Sequence, residues 1–236
     1  MNRHIVTSFD DELKEIAARL SEMGGMAEEQ LSRALEAIAT RDSQMASEVI
    51  ANDVRIDQQE MELEEMAIQL LALRQPMASD LREIVAALKV ASALERIGDL
   101  SKNVAKRARY LNESQPIKVS NSIVRMGKQT QTLVAEVLDA YTVRDTALAV
   151  SVWKRDVDID EMYNSIFREL ITYMMEDNRT IELCSQLLFV AKNLERIGDH
   201  ATFIAEMIYF VVEGQPLGDD RPKGDPLGEF PDSDEL

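Results

Sequence analysis

The chain has 236 residues, enough for one large domain or two smaller ones that each bury a core, and 45% are hydrophobic, 29% charged and 5% aromatic. Its formal net charge of −17 argues against a nucleic-acid binder, which would set Lys and Arg against phosphates. The single cysteine, Cys184, excludes an internal disulfide and suits a reducing cytoplasm. The first residues lack the apolar run of a signal peptide, and no stretch reaches the ~20 apolar residues of a membrane span. A cytoplasmic protein that meets membranes only through partners is expected.

The apolar period is helical along the chain. Leu13, Ile16, Ala17, Leu20 and Met23 step at three and four, as do Leu31, Leu35 and Ile38, which predicts a first helix over 8–39. A second, over 42–74, starts behind Asp42 as N-cap and stops before Pro76. The third covers 78–111 with Ser79 or Asp80 as cap, and Pro116 marks the next boundary. Helices over 120–141, 145–176 (capped by Asp145) and 180–213 (capped by Asn178 or Thr180) complete the set. No strand is predicted. The segment 214–236 holds four of the nine glycines and four of the six prolines, is acidic, and is expected to be disordered. Short polar turns and the two prolines favour six antiparallel bundled helices over one continuous coiled coil.

An internal repeat organises these helices. RDSQMASEVIANDVRIDQQE (41–60) aligns without gaps to RDTALAVSVWKRDVDIDEMY (144–163), and ALERIGDLSKNVAKR (93–107) to NLERIGDHATFIAEM (193–207). The offset is 103 residues in the first pair and 100 in the second, so the later half is shorter by three, placed at the turn that holds Pro76. The chain reads as an all-α fold of two tandem three-helix bundles, 1–112 and 113–213, followed by the tail.

Each half carries two acid pairs spaced by four: Asp53/Asp57 and Glu95/Asp99, then Asp156/Asp160 and Glu195/Asp199. Such residues lie one helical turn apart on one face, about 6 Å along the axis. A solvated face would place bases three or four positions away. None stands there around Asp53/Asp57 or Asp156/Asp160, whereas Lys102 and Lys192 neighbour the other two pairs. Glu95 also continues the apolar stripe Ile84, Leu88, Ala91, and Glu195 the stripe Cys184, Leu188, Ala191. Buried carboxylates must protonate, find bases or bind cations. Oxygen clusters without histidine suit hard cations such as magnesium, manganese or calcium, and iron is also compatible. Gly98 and Gly198, inside the two ERIGD copies, would let a partner backbone or a hydrated ion approach. His200 points about 100° away from Asp199 and is read as a packing residue, and Cys184 as core filler.

Two three-helix repeats, each with an acid-xxx-Asp pair on its second helix and LERIGD on its third, resemble the PhoU family, accessory regulators of bacterial phosphate uptake. The resemblance spans residues 8–213. It implies a cytoplasmic homodimer that binds metal clusters (magnesium, manganese, iron or zinc) through Asp53, Asp57, Glu95, Asp99, Asp156, Asp160, Glu195 and Asp199. It also implies a non-enzymatic regulator that couples the ATP-binding subunit of a phosphate ABC transporter to a sensor histidine kinase, keeping the phosphate-starvation response off when phosphate is plentiful. Asn103 fits the family pattern, but its repeat partner is Phe203; if that asparagine supports the cluster, the second site is drier, weaker or differently occupied. Two other expectations compete. A carboxylate-bridged metalloenzyme in a helix bundle would use Glu-x-x-His, which neither histidine satisfies. A plain helical scaffold would pair the acids with Lys102, Lys192 and arginines.

Overall fold

A computed structural model describes residues 2–74, 76–115 and 117–218. Pro116 and the tail from residue 219 lie outside these, so the boundary read at Pro116 and the disorder expected of the tail are not addressed. Seven α-helical segments follow one another: α1 Asn2–Ala39, α2 Ser43–Asn52, α3 Val54–Arg74, α4 Ala78–Glu113, α5 Val119–Val143, α6 Thr146–Glu176 and α7 Ile181–Glu213, the last preceded by a 3-10 turn over Asn178–Thr180. There is no strand among the described residues.

The helix expected over 42–74 is interrupted at Asp53, which separates α2 from α3. Asp53 keeps right-handed helical angles (φ −55°, ψ −39°), and its carbonyl still accepts from the Ile56 and Asp57 amides at 2.9 and 3.3 Å. The helical path therefore continues, so the fold has six long helices with one local irregularity. That irregularity falls on a candidate ligand. The equivalent Asp156 lies inside the unbroken α6.

The repeated Arg-Asp dipeptide now has a structural cause. Arg41 and Arg144 are the two described non-glycine residues with positive φ, at 59° and 56°. Each lets the chain reverse, and the next residue caps the following helix. Asp42 accepts from the Gln44 and Met45 amides, both at 2.9 Å. Asp145 accepts from the Ala147 and Leu148 amides at 2.9 and 3.0 Å. Left-handed backbone costs an L-residue about 1–2 kcal/mol, here offset by the cap and by Arg41 donating to the Asn112 and Ser114 carbonyls at the end of α4. The other two expected caps are corrected. The residue before α4 is Met77, with no side-chain cap bond, and α7 is entered through Thr180, while Asp177 accepts from the Arg179 amide.

Within each half, α1, α2–α3 and α4 pack as one bundle and α5, α6 and α7 as the other; α4 lies against α7 and α1 against α5. The offset of 103 carries through the core of the first helices. Ile16, Leu20, Met23, Ala27, Leu31, Ala34 and Ala37 are all buried, and so are Val119, Ile123, Met126, Thr130, Val134, Val137 and Ala140. The α1–α5 contact is reciprocal: Leu138 seats on Gly24, and Leu35 seats on Gly127, each filling the space a Cβ would take. A pseudo-twofold relation between the bundles follows from this exchange of equivalent contacts. Replacing Gly127 by Val should overpack this seat and destabilise by about 1–3 kcal/mol, and the added cost should fall in a Leu35→Ala background. Urea denaturation of the double-mutant cycle checks this; additive effects would show that the two residues do not share the seat.

Candidate functional site

The acid pairs lie where the second and third helices of each bundle meet, at equivalent depth in the two halves. Asp53 is 3% and Asp156 1% exposed. Asp57 and Asp160, Glu95 and Glu195, and Asp99 and Asp199 are all half-buried. The stripes that aim them inward are as expected: Ile84 and Ala91 in α4, and Cys184 and Ala191 in α7, are buried. Cys184 is a core residue whose thiol is pushed up by burial.

In the first half the acids are compensated from within the fold. The Lys102 ammonium donates to Asp53 Oδ2 and, at 2.5 Å, to Asp99 Oδ1. Gln30, from the buried face of α1, donates through Nε2 to Asp53 Oδ1 at 2.8 Å and to the Gly98 carbonyl at 3.0 Å. The absence of bases read around Asp53 is thereby corrected. A search of one helix at i±3 and i±4 cannot find a lysine that arrives from the neighbouring helix. Arg96 adds longer contacts to Glu95 (3.5 Å) and Asp99 (3.6 Å) from the rim.

Ionisation follows these contacts. Burial favours the neutral form of Asp99, but the hydrogen bond and charge of Lys102 hold its carboxyl below the usual range. Burial likewise opposes the Lys102 charge, which the bonds to Asp53 and Asp99 more than restore. Glu95 is pushed up to about 7, first by burial and then by the Asp99 charge, with Glu60 and Asp57 adding to it. Asp57 is raised by burial and by Asp53. One ammonium does not neutralise this many carboxylates.

The second half differs. At the position of Gln30 stands Leu133, 3% exposed, and at that of Lys102 stands Thr202, whose hydroxyl donates to the Asp199 carbonyl at 2.8 Å. Lys192, half-exposed at 48%, donates to Glu195 Oε1 at 2.7 Å, while Oε2 is buried without a hydrogen bond. Glu195 is raised by burial, which Lys192 partly offsets and Asp199 and Asp160 reinforce. Those three acids therefore share one electrostatic neighbourhood, as Asp57, Glu95 and Asp99 do in the first half.

The ERIGD glycines make room for side chains. A Cβ on Gly198 would lie 2.5 Å from Asp156 Oδ1, so this glycine admits a carboxylate against the α7 backbone. On Gly98 it would meet Ile56 Cδ1 at 3.0 Å and the Gln30 amide at 3.7 Å. Phe203 lines a groove of about 510 Å³ between α4 and α7, together with Arg96, Asp199 and His200. His200 is half-buried, and burial lowers its imidazole.

As arranged here, no group of three or more His, Cys, Asp or Glu among the described residues is placed to hold a metal ion. In donor chemistry the clusters fit a hard cation, and Gly198 with the unbonded Glu195 Oε2 gives the second cluster an oxygen-lined recess. In the first, the central position is held by an ammonium. Gln30 was missed at the sequence level, although a glutamine among Met23, Ala27 and Leu31 on an apolar stripe was a usable signal.

An all-α tandem repeat of three-helix bundles, each seam lined by carboxylates, defines a class of repeat-built, non-membrane-spanning helical proteins; among the described residues no helix is long and apolar enough to cross a membrane. The PhoU domain matches twice, over residues 20–108 and 123–208. A phosphate-specific transport system accessory protein PhoU homolog of Caulobacter vibrioides is 53% identical over 230 residues, covering 97% of this chain and 100% of its own. The crystal structure of PhoU from Pseudomonas aeruginosa superposes with a TM-score of 0.86 at 40% identity, over 88% of this chain and all of the other. The phosphate transport system regulatory protein PhoU from Streptococcus pneumoniae gives 0.83 at 31%, over 89% of this chain and 99% of the other. The chain belongs to the PhoU family.

Two substitutions test the site. Gly198→Ala gains about 1 kcal/mol of helix propensity but should lose more by displacing Asp156, for a net destabilisation of about 1–2 kcal/mol. Gly98→Ala, facing only the end of Ile56, should be near neutral. In urea titrations, a Gly198→Ala protein as stable as the parent would contradict the role given to this glycine. Gln30→Leu, which installs the second half's residue, should cost about 1–3 kcal/mol by leaving Asp53 and the Gly98 carbonyl one donor short. Unchanged stability would show that water replaces the amide without penalty.

Proposed function

We propose that this protein is a non-enzymatic accessory regulator of phosphate uptake and phosphate signalling. It acts in the cytoplasm as a homodimer, couples the ATP-binding subunit of a phosphate ABC transporter to a sensor histidine kinase, and keeps the phosphate-starvation response off when phosphate is plentiful. The observation that carries this reading is membership of the PhoU family over both repeats, with the acid pairs and LERIGD retained in each. The names of its relatives, accessory and regulatory proteins of phosphate transport, support the accessory role. Exposed apolar side chains support a protein partner. Val54, Met61 and Ile68 lie along one face of α3 at 64, 70 and 55% exposure, where isolated folding would favour polar residues.

Metal ions enter this reading as structural charges. Asp53, Asp57, Glu95 and Asp99, and Asp156, Asp160, Glu195 and Asp199, are the candidate ligands for divalent or transition ions such as magnesium, manganese, iron or zinc. A bound cation would supply charge neutralisation. The chain's own residues set the angle between the second and third helices of each bundle by how closely the carboxylates can approach. The raised Glu95 and Glu195 express the need for more positive charge than the fold provides.

The regulatory reading is tested by affinity capture of the full chain from phosphate-replete cells. The transporter ATP-binding subunit or a histidine kinase should be enriched; recovery of neither under mild cross-linking would count against it. The metal reading is tested by chelation. Stripping ions should lower the melting temperature, because an ion that binds only the folded state stabilises it by mass action, and an unchanged melting temperature would oppose it.

A further inference from the structure

We propose that the two acid clusters, equivalent by the repeat, draw their cations from different sources: the first carries its own, the Lys102 ammonium, and the second is the stronger site for a metal ion from solution. This rests on the metal reading above and departs from the sequence expectation that Phe203 makes the second site the weaker one.

The argument is geometric. Both oxygens of Asp53 are engaged, Oδ1 by Gln30 at 2.8 Å and Oδ2 by Lys102, and the same ammonium takes Asp99 Oδ1 at 2.5 Å. Asp53 and the Lys102 side chain are 5% and 21% exposed, so this cation sits inside the cluster and not over its mouth. A divalent ion entering here must expel it, breaking two charge-assisted hydrogen bonds in a site of low effective dielectric. Lysine suits the task, being a compact charge with three donors on a flexible stem.

None of this machinery is repeated. Leu133 replaces Gln30, and Thr202 replaces Lys102 and spends its hydroxyl on the Asp199 carbonyl. The nearby base, Lys192, has Ser92 as its counterpart, reaches Glu195 from a half-exposed position and also lies 5.1 Å over the Tyr163 ring. It contacts Oε1 and leaves Oε2 buried without a hydrogen bond. The recess at Gly198, where Asp156 Oδ1 lies in the space of a Cβ, is likewise confined to this half. An ion entering the second cluster expels no internal ammonium.

The test is a Mn²⁺ titration of the full chain, with free ion followed by its electron paramagnetic resonance signal. Two steps are expected in the parent protein. Glu195→Gln/Asp199→Asn should remove the tighter one, and Asp57→Asn/Glu95→Gln the weaker one. Lys102→Thr, which installs the second half's residue, should tighten the weaker step alone, on the order of tenfold, the size that changes around a metal's ligands commonly carry. Without Mn²⁺ the same variant should melt below the parent, and Mn²⁺ should restore it. If Lys102→Thr does not fold, Lys102→Met keeps the stem's packing and removes only the charge. Two steps that Lys102→Thr leaves unchanged, or a tighter step lost with Glu95 in place of Glu195, would overturn the inference while leaving metal binding intact. Absence of Mn²⁺ binding in every protein would overturn the metal reading and this inference together.

Discussion

Carboxylates buried between packed helices are the constraint around which this molecule is arranged. Asp53 and Asp156 have almost no exposure, and a charge so placed is costly unless another charge or several hydrogen bonds face it. The surrounding details answer to that cost. Gly198 removes a side chain so that Asp156 can lie against α7. Gln30 and Lys102 reach Asp53 from two different helices. Glu95 and Glu195, which receive less compensation, have their ionisation suppressed. Removing the acids would relieve the strain on charge but also the reason for a glycine in the middle of α7.

Symmetry supplies the frame and its breaking supplies the difference. The core positions of α1 recur in α5 at a fixed offset, the Arg-Asp turns recur with the same left-handed angle, and Leu35 and Leu138 exchange equivalent seats on Gly127 and Gly24. Against that background, departures from the repeat stand out. Gln30/Leu133, Lys102/Thr202 and the irregularity at Asp53 all fall on or beside the acid clusters. Packing positions were kept alike because both bundles must bury similar faces. The charge-compensating positions were free to diverge, because an internal base and a bound ion are alternative ways to meet one electrostatic need.

The parts of this picture that depend on local spacing were legible in the amino-acid order. Helix periodicity, the Asp42 and Asp145 caps and the inward stripes ending at Glu95 and Glu195 are set by residues three or four apart, and a repeat doubles each signal. The parts that depend on neighbours across helices were not. Lys102 is remote in sequence from Asp53 and meets it only after α4 packs on α3. Gln30 meets Asp53 in the same way from α1. The Ser79 or Asp80 cap failed for a related reason: Pro76 and Met77 set an extended approach, so α4 begins at Ala78 before either side chain can cap it.

The account's central claim is that the bundles differ in how their acids are balanced. Anomalous diffraction from crystals of the full chain grown at limiting Mn²⁺ tests it most directly, because it locates each ion without relying on substitutions. The account predicts an anomalous peak among Asp156, Asp160, Glu195 and Asp199, with the Lys102 side chain still between Asp53 and Asp99. A peak in the first cluster with Lys102 displaced, and none in the second, would contradict it.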